Sequence, residues 1–148
     1  VYANPGDGFG SGIFAVKHAS GTTGAIVVTL SGDLGANRAL GISAFRMIGR
    51  DSVSANATNT DTATTTGALT LSVNTLAAGG AVGCAQFFNN VTTTWAGLTE
   101  VRDTAFAGAS YVIITSAFAE TAGASSPLTI TATPSGVSVQ STGVAASW

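Results

Sequence analysis

The sequence predicts an all-β protein: an antiparallel β-sandwich, jelly-roll-like, with about eight to ten strands in a single domain over residues 1–148. Three observations predict it. Short alternating or β-branched runs recur along the chain, separated by clusters of Gly, Ser, Thr, Asn and Asp. No window carries a convincing helical period, so the crossover helices of a parallel sheet are missing. Ionisable side chains are scarce: five Lys and Arg and seven Asp and Glu, beside 19 glycines.

The first expected strand covers 12–18, followed by a turn in which Gly21 and Gly24 permit positive φ. Residues 25–30, Ala-Ile-Val-Val-Thr-Leu, form the clearest strand pattern in the chain. A loop over 31–37 leads to a long strand at 38–48, with Leu40, Ile42, Ala44 and Phe45 pointing inward. A helix competes there, but Gly41 and Ser43 weaken it. Residues 51–67 are rich in Asn, Thr and Asp and read as an exposed, mobile loop. Residues 68–73 alternate cleanly, with Leu69, Leu71 and Val73 on one face. In 80–88, Val82, Cys84 and Gln86 lie opposite Ala81, Ala85 and Phe87. A short strand at 92–95, a long apolar one at 109–119, an alternating one at 127–134 and a closing one at 143–148 complete the set. The chain starts at Val1 and shows no basic segment followed by an apolar one; it is expected to be one piece of a longer polypeptide, or processed.

Composition narrows the classes of function. Apolar residues make up 45% of the chain, enough for a core, and are spread among small side chains. Mean hydropathy is +0.42, high for a soluble monomer. A chain with so few charges either buries surface against sister copies or keeps a rather neutral exterior, and a homo-oligomer is the expectation. No run approaches the roughly 18 apolar residues of a membrane-spanning helix, so membrane insertion is not expected. Net charge is −2, and Lys17, Arg38, Arg46, Arg50 and Arg102 form no basic run. This argues against a nucleic-acid partner, which needs a basic patch to displace counterions. The lone Cys84 permits no intrachain disulfide and reads as a small buried hydrophobe. No phosphate-cradling loop, CxxC or HExxH occurs, so no cofactor is implied.

Few residues are candidates for chemistry. His18 is the only histidine; without a signalled nucleophile and orienting carboxylate it reads as structural or exposed. Glu100 and Asp103 form the closest carboxylate pair that chemistry would use, since a glycosidase needs two carboxylates flanking one bond. They would also suit Ca²⁺ together with loop carbonyls. The competing reading is a solvated loop with Arg102 as partner. Asp51, Asn56, Asn59 and Asp61 make a second oxygen-rich cluster without EF-hand spacing, and are a candidate contact surface. Either tryptophan, Trp95 or Trp148, reads first as a core or interface anchor; with Tyr2 and Tyr111 they would alternatively offer a sugar-stacking platform.

Two stretches and the ending also carry a resemblance. The first is 21–32 followed by 38–49; the second is 92–103, containing Thr94-Trp95-Ala96-Gly97-Leu98-Thr99-Glu100; the ending is Val144-Ala145-Ala146-Ser147-Trp148. Together they resemble β-sandwich virion proteins of tailed bacteriophages and prophages, over most of the chain from about Ile13 onward. The resemblance implies a domain exposed on a particle: a head decoration, spike, fibre or tail-associated protein. It implies other virion proteins as partners, an extracellular location on the particle surface, and no catalytic residue. The leading expectation is therefore a structural virion protein that self-associates and contacts a host surface. The second is a carbohydrate-binding module or adhesin gripping host-surface glycans. The third is a hydrolase built on Glu100 and Asp103.

Overall fold

In the computed structural model the described residues are 1–6, 9–16, 25–29, 40–47, 52–64, 67–89, 91–106, 112–120, 127–138 and 140–148. They contain ten strands: β1 (Tyr2–Gly6), β2 (Phe9–Gly12), β3 (Ala57–Ala63), β4 (Leu69–Val73), β5 (Gly80–Phe88), β6 (Thr93–Ala96), β7 (Thr99–Phe106), β8 (Val112–Glu120), β9 (Leu128–Pro134) and β10 (Ser141–Ser147). Every pairing is antiparallel. The protein is an all-β antiparallel sandwich, as its alternating sequence predicts.

The sheets are β3-β10-β5-β8-β7, β4-β9-β6 and the hairpin β1-β2. Six of the last eight strands are nested. β3 pairs with β10, β4 with β9 and β5 with β8, as in one long hairpin folded over on itself. The fold brings β10 beside β5 and β9 beside β6. β7 departs from the nesting and pairs with β8 instead of β6.

The five-stranded sheet is covered on both faces. The three-stranded sheet covers one, where β4 meets β3 and β10 and β6 meets β7. Their interface is the main core: Leu69, Leu71, Val73, Ala81, Ala85, Phe87, Trp95, Leu98, Ala117, Ile130 and Ala145 are buried there. The hairpin β1-β2 covers the opposite face, against β10, β3 and β5. A smaller cluster of Val82, Ala146 and Trp148 lies on that side, with Ile13, Phe45, Met47 and Phe118 packed on it.

This double cover explains β10. All seven of its residues are buried, and all are small: Ser, Thr, Gly, Val, Ala, Ala, Ser. A strand in the middle layer has no outward face, so it loses the usual polar alternation. Close approach also demands glycine twice. A Cβ on Gly83 would lie 2.9 Å from Leu98 Cδ1 and from Trp95 Cζ3, and one on Gly143 would lie 3.0 Å from Leu69 Cδ1.

Several expectations are corrected. Residues 51–67 are not a loop throughout, because β3 forms an edge strand there whose alternate residues are half-buried. Residues 99–103 likewise belong to β7. Residues 25–29, the clearest strand pattern, lie in no sheet and are exposed. Of the strand expected at 12–18, Gly12 belongs to β2, 13–16 continue outside a sheet, and 17–18 lie outside the described residues. Residues 40–47 are likewise in no sheet, and of the set expected to point inward Phe45 does so while Leu40, Ile42 and Ala44 do not. Phe45 and Met47 pack on the small cluster while Leu40, Ile42 and Ala44 are exposed. Contacts fix that choice: Ser116 Oγ donates to Ser43 Oγ at 3.0 Å, and the rings of Phe45 and Phe118 stack 6.1 Å apart.

Candidate functional site

Regular alternation would send Glu100 and Asp103 to opposite faces of β7, since they are three residues apart. The strand carries a bulge between Glu100 and Arg102. Glu100 therefore stands opposite Ala117 and Asp103 opposite Thr115, both on the face turned to the three-stranded sheet. An extra residue in one strand re-aims side chains in this way. Arg102 falls on the other face: its Nε donates to Thr104 Oγ1 at 2.9 Å and its Nη1 to the Ile42 carbonyl at 3.0 Å. The expected pairing of Arg102 with these carboxylates is thus replaced by a clamp on residues 40–47.

The two carboxylates have different surroundings. Asp103 Oδ2 accepts a hydrogen bond from the Thr93 amide at 2.7 Å, tying β7 to β6 across the two sheets. Its Oδ1 is buried without a partner, as is Thr93 Oγ1. Glu100 is exposed, and its carboxyl is pushed above the ordinary carboxylate range by partial desolvation first and by the charge of Asp103 second. That direction suits a proton donor. Its neighbour, however, is engaged in holding the backbone.

Trp95 is buried between the sheets, and its Nε1 donates to Thr115 Oγ1 at 2.7 Å. Trp148 is buried too, donating to the Val53 carbonyl at 3.2 Å. The anchor reading of the two indoles therefore holds and the stacking platform does not: both rings anchor the packed faces, with their polar edges satisfied inside. Tyr111 and His18 lie outside the described residues.

The segment linking Trp95 to Glu100 shows why these residue types occur together. Gly97 has φ of 82° and its missing Cβ would collide with the Thr129 carbonyl, so the turn requires glycine. Leu98, next in the chain, enters the core. The Thr-Trp-x-Gly-x-Thr-Glu stretch is a tight connection between two sheets.

The second oxygen-rich cluster disperses. Asp61 accepts the Thr62 amide on Oδ1 at 2.9 Å and the Thr70 amide on Oδ2 at 2.7 Å, stapling β3 to β4. Asn56 donates from Nδ2 to the Asn74 carbonyl at 2.9 Å. Asn59 is half-buried and faces the same way as Ala145, its register partner. Asp51 lies outside the described residues. Among the described residues, no three His, Cys, Asp or Glu side chains gather as a metal site.

Cys84 is more engaged than its neighbours suggest. Its Sγ donates to the Gly12 carbonyl at 3.6 Å, beneath the hairpin, and burial pushes the thiol up to about 12. Such a thiol is inert at neutral pH. The hairpin is bound by similar polar contacts: Ser11 Oγ donates to the Thr142 carbonyl and Thr142 Oγ1 to the Ala3 carbonyl.

The candidate that sequence reasoning missed is the outward side of the hairpin layer. Tyr2, Phe14, Val16, Leu40 and Ile42 are all exposed there or on the segments that join it. Apolar alternation was visible in these stretches, but not which of the two sets would face out. Comparison with protein families, with curated proteins and with solved structures gave no match.

Proposed function

We propose that this chain is a structural protein exposed on a bacteriophage-like particle, built as a scaffold that associates with its own copies. The observation that carries the reading is the nested strand order, β3 with β10, β4 with β9 and β5 with β8, split over two packed sheets. That order supports the jelly-roll-like description, an architecture used by viral capsid proteins and lectins alike. Fold does not fix function, so the side chains must choose between these. The described acidic groups with hydrogen-bond partners, Asp61 and Asp103, hold backbone amides of neighbouring strands. Both tryptophans anchor packed faces. These features favour a building element over a glycan-binding module or a hydrolase.

Immunogold electron microscopy of the particle fraction, with antibody against this chain, tests the proposal. Gold at regular positions on heads or tails is the expected result. Antigen recovered only away from particles would overturn it.

A further inference from the structure

The hairpin layer packs inward through small side chains and carries large apolar ones outward. Its inward side supplies Ala3, Ser11 and Ile13 to the central sheet. Pairing of Tyr2 with Gly12 and of Ala3 with Ser11 puts Tyr2, Gly10 and Gly12 on the outward side. Gly12 has the rings of both Phe14 and Tyr2 against it: an added Cβ would lie 3.0 Å from Phe14 Cε2 and 3.3 Å from Tyr2 Cδ2. The two aromatic rings thus share a floor made by a residue without a side chain. The chain continues past Gly12 with Ile13 bound to Val1 by two hydrogen bonds, of 2.9 and 3.0 Å. Residues 40–47 lie against the same small cluster, with Phe45 and Met47 inward and Leu40 and Ile42 outward.

Phe14 is 89% exposed and Val16 88%, while Tyr2, Leu40 and Ile42 are between 44% and 57% exposed. At ~150–250 Å² for a large side chain, these five leave on the order of 600 Å² in water. That is at the upper end of the largest apolar patch on an ordinary monomer. Doubled by a twofold axis, it comes to about 1,200 Å², the lower bound for a specific, stable interface.

We infer that this outward side of the hairpin layer, centred on Tyr2 and Phe14 and extended by Val16, Leu40 and Ile42, is the surface by which two copies of this chain join. The occupant is a second copy. Apart from Arg46, which is also exposed on the outward side of 40–47, the large exposed groups are aliphatic and aromatic, which suits a partner presenting the same surface, and a twofold contact brings a patch against itself. The inference deepens the self-association contained in the proposed function and rests on that reading only to this extent. A failure of particle labelling leaves the interface standing, and a failure of the interface leaves the particle assignment standing.

Sedimentation velocity of the intact chain over a wide concentration range tests it, on the wild type, on Phe14→Ser with Val16→Thr, and on a control, Thr129→Ser with Thr133→Ser, on the opposite side. Far-ultraviolet circular dichroism confirms that each variant is folded. The expected result is reversible dimerisation of the wild type and of the control, weakened roughly thirtyfold in the Phe14/Val16 variant, as for loss of an aromatic anchor. A wild type that stays monomeric overturns the inference, as does equal dimerisation of all three proteins. Adding soluble oligosaccharides to the monomeric wild type and finding protection of Tyr2 and Phe14 would also overturn it, in favour of a sugar platform.

Discussion

On the outward side of the three-stranded sheet the exposed positions hold Thr70, Ser72, Thr94, Ala96, Thr129 and Thr133. On the outward side of the hairpin layer and its adjoining segments the large apolar side chains Tyr2, Phe14, Val16, Leu40 and Ile42 are exposed, with Arg46 as the charge beside them. Both surfaces cover the same central sheet from opposite sides. Threonine keeps the β-branched shape that suits a strand and gives water a hydroxyl to bond, so the first surface is complete as it stands. The second offers water no such partner from these five side chains except the Tyr2 hydroxyl. The inner sides differ as well. The main core has large side chains from both sheets interlocked around Trp95 and Phe87, whereas the hairpin is held through a small cluster and hydroxyl-to-carbonyl bonds. One cover is a structural half of the sandwich, and the other is a lighter layer.

The comparison predicts unequal costs. Trp95→Ala should have the largest effect, about 3–5 kcal/mol by denaturant unfolding, because it opens a cavity between two sheets and strands Thr115 Oγ1. Asp103→Ala should cost about 1–3 kcal/mol, because the buried Thr93 amide loses its acceptor. Asp103→Asn, which keeps an acceptor oxygen, should recover part of that loss in the same measurement. Phe45→Ala, on the lighter side, should cost only about 1 kcal/mol. Hydrogen exchange should then accelerate over residues 40–47 while β5 and β10 stay protected. A cost equal to that of Trp95→Ala would break the comparison.

The smallest effect concerns Glu100, whose raised carboxyl gives a definite sign. A carboxyl raised in the folded state holds its proton longer there than in the unfolded chain. Stability therefore falls as pH rises from the ordinary carboxylate range through the raised folded value. Glu100→Gln should remove that slope, leaving melting temperature unchanged at acid pH and slightly higher at neutral pH. A lower melting temperature at neutral pH would show that the charge is favourable where it stands.

The part of the main core on the three-stranded sheet was legible because those strands bury one face only. In β4, Leu69, Leu71 and Val73 alternate with Thr70 and Ser72, and in β9 Ile130 and Ala132 alternate with threonines. β3 was not legible: Ala-Thr-Asn-Thr-Asp-Thr-Ala carries no large apolar residue, since an edge strand is only half covered. β7 hid behind Glu100, Arg102 and Asp103, charges that guard an edge and surround a bulge. The reverse error fell at 25–29 and 40–47, where strong β-propensity is present but no described strand offers a ladder. Propensity reports fitness for a pleated surface, not the presence of a neighbour. Pairing Glu100 with Asp103 was legible from their spacing alone, but their common face depends on a bulge that spacing does not reveal.

In the proposed dimer one cover is finished as it stands and the other would be completed by a second copy. Hydroxyl-radical footprinting of the intact wild type, dilute and concentrated, tests this residue by residue. Tyr2 and Phe14 should be oxidised readily in dilute solution and protected on concentration, with Trp95 and Trp148 protected in both. Equal oxidation of Tyr2 and Phe14 at the two concentrations would contradict it.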